Sequence, residues 1–152
     1  MRQKHYKRPK TIHPMLILIG SFFIFQSTLV TAEPTPISTP EAIYAALDRW
    51  QIAWRELDTA GYISSYSPDF TGKQHTDHTT WATSREQRLK SQRWIKLKLS
   101  GIVIFARNDG KYAANFTQQY KSDSFSEISR KQLLFAKYPN GWLIVSESEI
   151  KN

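Results

Sequence analysis

Apolar residues recur at helical spacing in the first half of the chain and at strand spacing in the second. Ile43, Leu47, Trp50, Trp54 and Leu57 follow one another at steps of four, three, four and three, one face of an amphipathic helix. Thr39-Pro40-Glu41 opens it: Thr39 as cap, Pro40 in the first helical position, Glu41 at the positive dipole end. Asp58 caps a shorter helix to about Tyr66, with Tyr62, Ile63 and Tyr66 as its apolar side, and Ser67-Pro68-Asp69 stops it. Residues 70–79 are polar and contain a glycine. Thr79 or Thr80 then caps a third helix from Trp81 to about Ser91, rich in Arg, Glu, Gln and Lys.

After Gln92 the period changes to two. Ile95, Leu97, Leu99, Val103 and Phe105 share one parity and Lys96 and Lys98 take the other, with Gly101 marking a bulge or bend. Asn108-Asp109-Gly110-Lys111 is a hairpin signal. The return strand, Tyr112 to about Lys121, places Tyr112, Ala114, Phe116, Gln118 and Tyr120 on one face. Ser122 to Glu127 connects to a strand from Ile128 to Tyr138, and Pro139-Asn140-Gly141 turns the chain into a last strand, Trp142 to about Glu149. Helices followed by an antiparallel meander predict an α+β fold, with three N-terminal helices packed on one face of a curved antiparallel sheet. A cavity in such a fold lies between the concave face of the sheet and the helix covering it.

Composition changes this picture at the N-terminus. The chain has 152 residues, 21 Lys+Arg against 13 Asp+Glu, and no cysteine, which excludes disulfides, thiolate-ligated zinc and a thiol nucleophile. The formal charge of +8 points toward nucleic acid until its distribution is read. Arg2, Lys4, Lys7, Arg8 and Lys10 crowd the start, and no acid precedes Glu33. Without residues 1–32 the balance is 16 basic to 13 acidic side chains, close to an ordinary surface. A basic stretch, the apolar run Met15 to Phe25, and Val30 and Ala32 at the exit match a secretory signal peptide cleaved after Ala32. The competing reading is an uncleaved anchor, but a bilayer core needs roughly 20 apolar residues and this run is shorter. The expected organisation is a signal peptide at 1–32, a Pro-containing linker at 33–40 and one domain at 41–152. Export places that domain in the periplasm or the medium, touching a membrane only if the leader stays attached.

The candidate chemistry is sparse. Trp50, Trp54, Tyr62, Tyr66, Phe70 and Trp81 converge if the helices pack as expected, either as plain core or as a lining for a flat-faced ligand. Gln118 shares strand parity with Phe116 and Tyr120, so its amide is buried and must find a partner in the protein or in a ligand. The pocket-lining candidates are therefore these six helical and loop residues with Phe116, Gln118 and Tyr120. His75, Asp77 and His78 form a polar loop rather than a metal site, because they lack the helical spacing that aligns two imidazoles. Asp69, Asp123, Glu147 and Glu149 are the available acid–base groups, none at an evident interior parity, so no catalytic set is expected. Lys131 and Arg130 are read as surface partners of Asp123. Arg85, Arg88, Lys90 and Arg93 are read as the solvent face of a wet helix, and no nucleic-acid motif accompanies them.

Trp50-x-x-Ala53-Trp54, then Asp58, Tyr62, Tyr66 and Phe70 at steps of four, then Trp81, resemble the helical half of nuclear transport factor 2-like domains. The four strands ending in Trp142-Leu143-Ile144 fit the sheet half of that cone-shaped fold. Phe116-x-Gln118-x-Tyr120-x-Ser122-Asp123 and Lys131-x-Leu133 resemble the branch appended to bacterial L,D-transpeptidases and other envelope proteins. The resemblance implies an accessory domain in cell-envelope maintenance that needs no cofactor. Its partner would be a small-molecule or peptidoglycan-like ligand or an envelope protein, with a homodimer through the outer sheet face. The superfamily also hosts isomerases, dehydratases and hydrolases. A small periplasmic enzyme would need Asp69 or Asp123 inside the cone, with Tyr66 or Tyr120 polarising the substrate.

Overall fold

The structure, a computed structural model, describes residues 38–151. The expected signal peptide and all but the end of the linker lie outside the described residues. Helices α1 (Thr39–Arg55), α2 (Thr59–Ser64) and α3 (His78–Lys90) precede strands β1 (Ile95–Ala106), β2 (Tyr112–Ser122), β3 (Ser126–Tyr138) and β4 (Gly141–Glu149). The strands form one antiparallel sheet in the order β1-β2-β3-β4. Ile43, Leu47 and Trp50 of α1 are buried with Phe116, Leu133, Phe135 and Ile144 of the sheet. The expected α+β cone, helices against one face of the meander, is what the chain forms.

Local chemistry moves three element boundaries from their expected places. Ser38, not Thr39, caps α1: its Oγ accepts from the Glu41 N–H, and the Glu41 carboxylate accepts the Ser38 N–H at 3.0 Å. That reciprocal capping box satisfies two otherwise unpaired donors, which Thr39 could not do without an acid three residues on. α1 ends at Arg55 rather than running through Leu57. The Asp58 N–H bonds the Ala53 carbonyl at 2.9 Å and the Leu57 N–H bonds that of Trp54 at 3.3 Å, with Leu57 at φ +58°. This Schellman closure places a leucine in a left-handed position that glycine usually takes. α3 begins at His78 because Asp77 caps it, one carboxylate accepting from both the Thr80 N–H and the Thr80 hydroxyl at 2.8 Å.

Two bulges reset which side chains face inward. Between Ser100 and Val103 β1 gains one residue over β2, around Gly101 at φ +61°. Ile102 and Ile104 consequently pack on the core, while Val103 and Phe105 are exposed at 58% and 39%. The single parity expected for Ile95 through Phe105 therefore holds only as far as Leu99. In the pairing of β3 with β4, Phe135 faces Ile144 but Leu134 faces Ser146, so Val145 is the extra residue. Beyond it the inward positions of β4 become Glu147 and Glu149, opposite Leu133 and Lys131.

Candidate functional site

The interior of the cone divides into a filled end and an open end. At the filled end Trp50, Tyr66, Phe70, Trp81 and Phe116 are each less than a tenth exposed. Their rings interlock: the Tyr66 centroid lies 4.6 Å from those of Phe70 and Trp81, and Phe70 lies 4.9 Å from Trp81. Gly72, at φ +67°, lets the backbone pass Trp81; a Cβ there would stand 2.9 Å from the indole ring. These five candidates are core. Phe70 and Trp81 also reach the wall of a second groove of about 260 Å³ beside Gly72 and His75.

The open end holds a cleft of about 480 Å³, inside the range of roughly 300–1,000 Å³ typical of small-molecule sites. Trp54, Tyr62, Gln118 and Tyr120 line it, four of the nine residues named from the sequence. Arg85, Arg88, Glu127, Lys131 and Glu147 bring charge to the same wall. The smaller groove shares Arg85, Arg88, Lys131 and Glu147, so the two depressions meet at one charged seam.

A hydrogen-bonded chain ties the seam to the core. The Trp50 indole N–H donates to the Tyr66 hydroxyl at 2.9 Å, and Tyr66 donates to Glu147 Oε2 at 3.0 Å. The Tyr62 hydroxyl lies 2.9 Å from that of Tyr66. Tyr66 has one proton, given to Glu147, so Tyr62 is the donor in this contact and Tyr66 has no capacity left. The backbone holds the same arrangement. α2 stops at Ser64, short of its expected end, because Tyr66 bridges to Ile144 of β4: the Ser67 N–H bonds the Ile144 carbonyl, and the Ile144 N–H bonds that of Ser65, both at 2.9 Å.

Electrostatics follow burial. Desolvation pushes the Tyr62 phenol up to about 12; Arg85 opposes this and Glu147 adds to it. Desolvation also raises Tyr66 well above its ordinary value, with Glu147 reinforcing. Both phenols therefore remain neutral hydrogen-bonding groups near pH 7. Burial alone would lower the affinity of Arg85 for its proton, but Tyr62, Tyr66 and Glu147 outweigh it and raise that affinity.

Gln118 is 3% exposed and faces the cleft, and its amide oxygen has no hydrogen-bond partner among the described residues. Ser129, directly across the β2–β3 ladder, carries a second buried oxygen without one. The tyrosine hydroxyls that could have served Gln118 are committed elsewhere, Tyr62 to Tyr66 and Tyr66 to Glu147.

Several side chains sit apart from their expected places. Glu147 and Glu149 were expected off the interior parity; the Val145 bulge turns them in, and Glu147 reaches Tyr66. Arg85 was expected in solvent but is half-buried at the seam, four residues after Trp81 and four before Leu89 on one helix face. Lys131 does not pair with Asp123; it stands on the inward parity with Leu133, while Asp123 accepts from Arg93 at 3.0 Å at the surface. Asp69 is exposed, so neither carboxylate required by the enzyme reading lies inside the cone. His78 turns Nδ1 to the Phe70 carbonyl at 2.9 Å, and Asp77 is spent on its cap. Among the described residues no cluster of three potential ligands could hold a metal ion, and no helix is long and apolar enough to cross a membrane.

No curated protein matches the chain. Solved structures do. Bd1075 from Bdellovibrio bacteriovorus aligns at TM-score 0.63 and 21% identity, over 70% of this chain and 38% of its own. The K307A mutant of the helical cell shape determining protein Pgp2 from Campylobacter jejuni aligns at 0.64 and 22%, over 73% of this chain and 41% of its own. The chain thus spans well under half the length of either. An NTF2-like protein of unknown function from Pseudomonas putida KT2440 aligns at 0.61 and 17%, over 75% of this chain and 88% of its own. Residues 42–148 match the family model of the Cds6 C-terminal NTF2-like domain, and the chain belongs to that family.

Proposed function

We propose that this protein is an exported, non-enzymatic binding domain that takes a ligand in the open end of its cone, as an accessory factor in bacterial cell-envelope maintenance. The observation that carries the binding reading is Gln118: a buried amide oxygen without a protein partner, facing a cleft of about 480 Å³. An unpaired buried acceptor costs about 1–3 kcal/mol, and a ligand donor would remove that cost. The envelope assignment draws support from the signal-like N-terminus and from the likeness to Pgp2, a helical cell shape determining protein.

The test is capture of purified cell-wall material, and of crosslinked envelope proteins, by the full chain and by its Gln118→Leu variant. Capture that weakens in the variant supports the proposal; capture by neither, or equally by both, overturns it. The mass of the protein recovered outside the cytoplasm tests export and reports whether residues 1–32 have been removed.

One observation favours a second reading, a small isomerase, dehydratase or hydrolase. Glu147 lies at the cleft within hydrogen-bond reach of a tyrosine hydroxyl, as an acid–base site requires. Against it, Tyr66 has spent its hydroxyl on Trp50, Tyr62 and Glu147 and cannot polarise a substrate. Turnover of small carbonyl substrates that disappears in Glu147→Gln would reverse the order of the two readings.

A further inference from the structure

We propose that the outer face of the sheet, the face turned away from the helices, docks on an anionic lipid surface, a membrane contact made by the folded domain and independent of the leader. The outward rows at one end of this face are basic. Lys96 stands directly across the ladder from Lys121, Lys98 across from Gln119, and Gln119 across from Ile128. Lys96, Lys98 and Lys121 are exposed, and none forms an ion pair with a described residue. Lysines on β1 alone would need no partner to explain them, because they guard an edge strand against pairing with another chain. Lys121 lies on β2, an interior strand, where that explanation fails. Like charges directly opposite each other destabilise a sheet, and an anion bridging Lys96 and Lys121 would reverse that effect.

Apolar side chains set among these cations identify the anion as a headgroup layer. Ile128 is 72% exposed and stands between two shallow depressions. One, of about 310 Å³, carries Lys96, Lys98 and Lys121; the other, of about 370 Å³, carries Arg130 and Lys151. The carboxylates that border them are Glu127 and Glu149, so five cations meet two anions and the excess is positive. Trp94, 37% exposed, lies on the same side, its ring centroid 5.7 Å from Lys96 Nζ. A dissolved polyanion would meet the lysines but offer Ile128 nothing. A bilayer offers phosphates to the lysines and acyl chains to Ile128, and indoles settle at the boundary between the two. A second copy centred on this face would set the same cations against one another.

The chain has no cysteine, so Ile128→Cys, or Asn108→Cys in the β1–β2 hairpin as a control, carries a single environment-sensitive fluorophore. Each labelled full chain is mixed with vesicles of phosphatidylcholine alone and of phosphatidylcholine with phosphatidylglycerol. Emission from the Ile128 site should shift to the blue and be quenched by spin-labelled lipid on the anionic vesicles only, while the Asn108 site stays in water. Tethering by the leader alone would favour neither site. Lys96→Gln combined with Lys121→Gln should weaken the Ile128-site response more than tenfold, at about fivefold per cation lost near an anionic surface. The fold should keep or gain stability in that variant, because the like-charge pair is gone. Equal responses at the two sites, on the two vesicle types, or in the parent and the lysine variant overturn the proposal. A shift reproduced by soluble polyphosphate assigns the face to a dissolved polyanion, and one that grows with protein concentration without vesicles assigns it to a second copy; either overturns it as well. None of these readouts involves Gln118, so the cleft reading stands or falls separately.

Discussion

The two ends of the cone are built from the same strands a few residues apart and have opposite characters. Along β2 the inward positions run Ala114, Phe116, Gln118, Tyr120, and along β3 they run Phe135, Leu133, Lys131, Ser129. On β4 they run Trp142, Ile144, Glu147, Glu149. Each of these three strands changes from apolar to polar as it leaves the aromatic end, whereas β1 keeps Ile104, Ile102, Leu99, Leu97 and Ile95 inward throughout. The filled end removes apolar area from water and holds the fold together. The open end keeps charges on the cleft wall and buries an amide whose oxygen is unpaired among the described residues, an arrangement that costs stability and that a bound ligand would relieve. Substitutions should therefore have opposite signs at the two ends.

The largest effect belongs to Trp50. It is fully buried, packs on Tyr62 and Phe116, and donates to Tyr66. Trp50→Ala should lose about 3–5 kcal/mol of stability, read as a lower denaturant midpoint. A loss under about 1 kcal/mol would mean that the aromatic end is not the core. Next comes Tyr66→Phe, which keeps the ring but strands the Trp50 N–H and removes the proton that Glu147 accepts. A loss of about 1–3 kcal/mol is expected, together with a change in the fluorescence of Trp50. Comparable stability in Tyr66→Phe would show that the link between core and seam carries no energy.

An effect visible only in alkali follows from Tyr62. Its phenol titrates near 10.0 in an ordinary setting and near 12 in the fold, because burial opposes the charged form. A raised folded value means that the unfolded chain releases its proton first as pH climbs. Stability from this group is therefore complete below pH 10 and is lost progressively toward pH 12. The melting temperature of Tyr62→Phe should fall less steeply than that of the parent across this interval. Parallel curves would place Tyr62 in a wetter site than its 1% exposure indicates.

The filled end was far more legible in the sequence than the open one, for a physical reason. Ile43, Leu47 and Trp50 announce a buried face through spacing alone, and period-two strands announce the sheet. A bulge inserts one residue without changing composition, yet it reverses every side chain beyond it. Gly101 advertised the bulge in β1, but nothing in Trp142-Leu143-Ile144-Val145 marks where β4 slips, so the spacing alone gives Glu147 no evident interior parity. Arg85 did leave a signal: the four-residue steps from Trp81 to Arg85 to Leu89 place it on the buried side of α3. The basic composition of the helix obscured that spacing. Gln118 was visible as a buried amide because its strand has no bulge between Tyr112 and Tyr120 on the β3 side.

The smallest effect on stability, and the sharpest test of the contrast, is Gln118→Leu. Leucine is similar in size and unbranched at Cβ like glutamine, so the substitution leaves neither a large cavity nor a strained strand. It deletes an amide whose oxygen no described residue satisfies, on a side chain 97% hidden from solvent by its 3% exposure. Removing such a group relieves a desolvation cost, so stability should hold or rise by about 1 kcal/mol, while capture of wall material declines. A polar residue retained where leucine would be more stable is the pattern expected when function rather than folding selects it. If Gln118→Leu instead destabilises the fold as Tyr66→Phe does, the amide is a structural partner, to Ser129 across the ladder or to ordered water. The open end would then be core with an imperfect seal rather than a site.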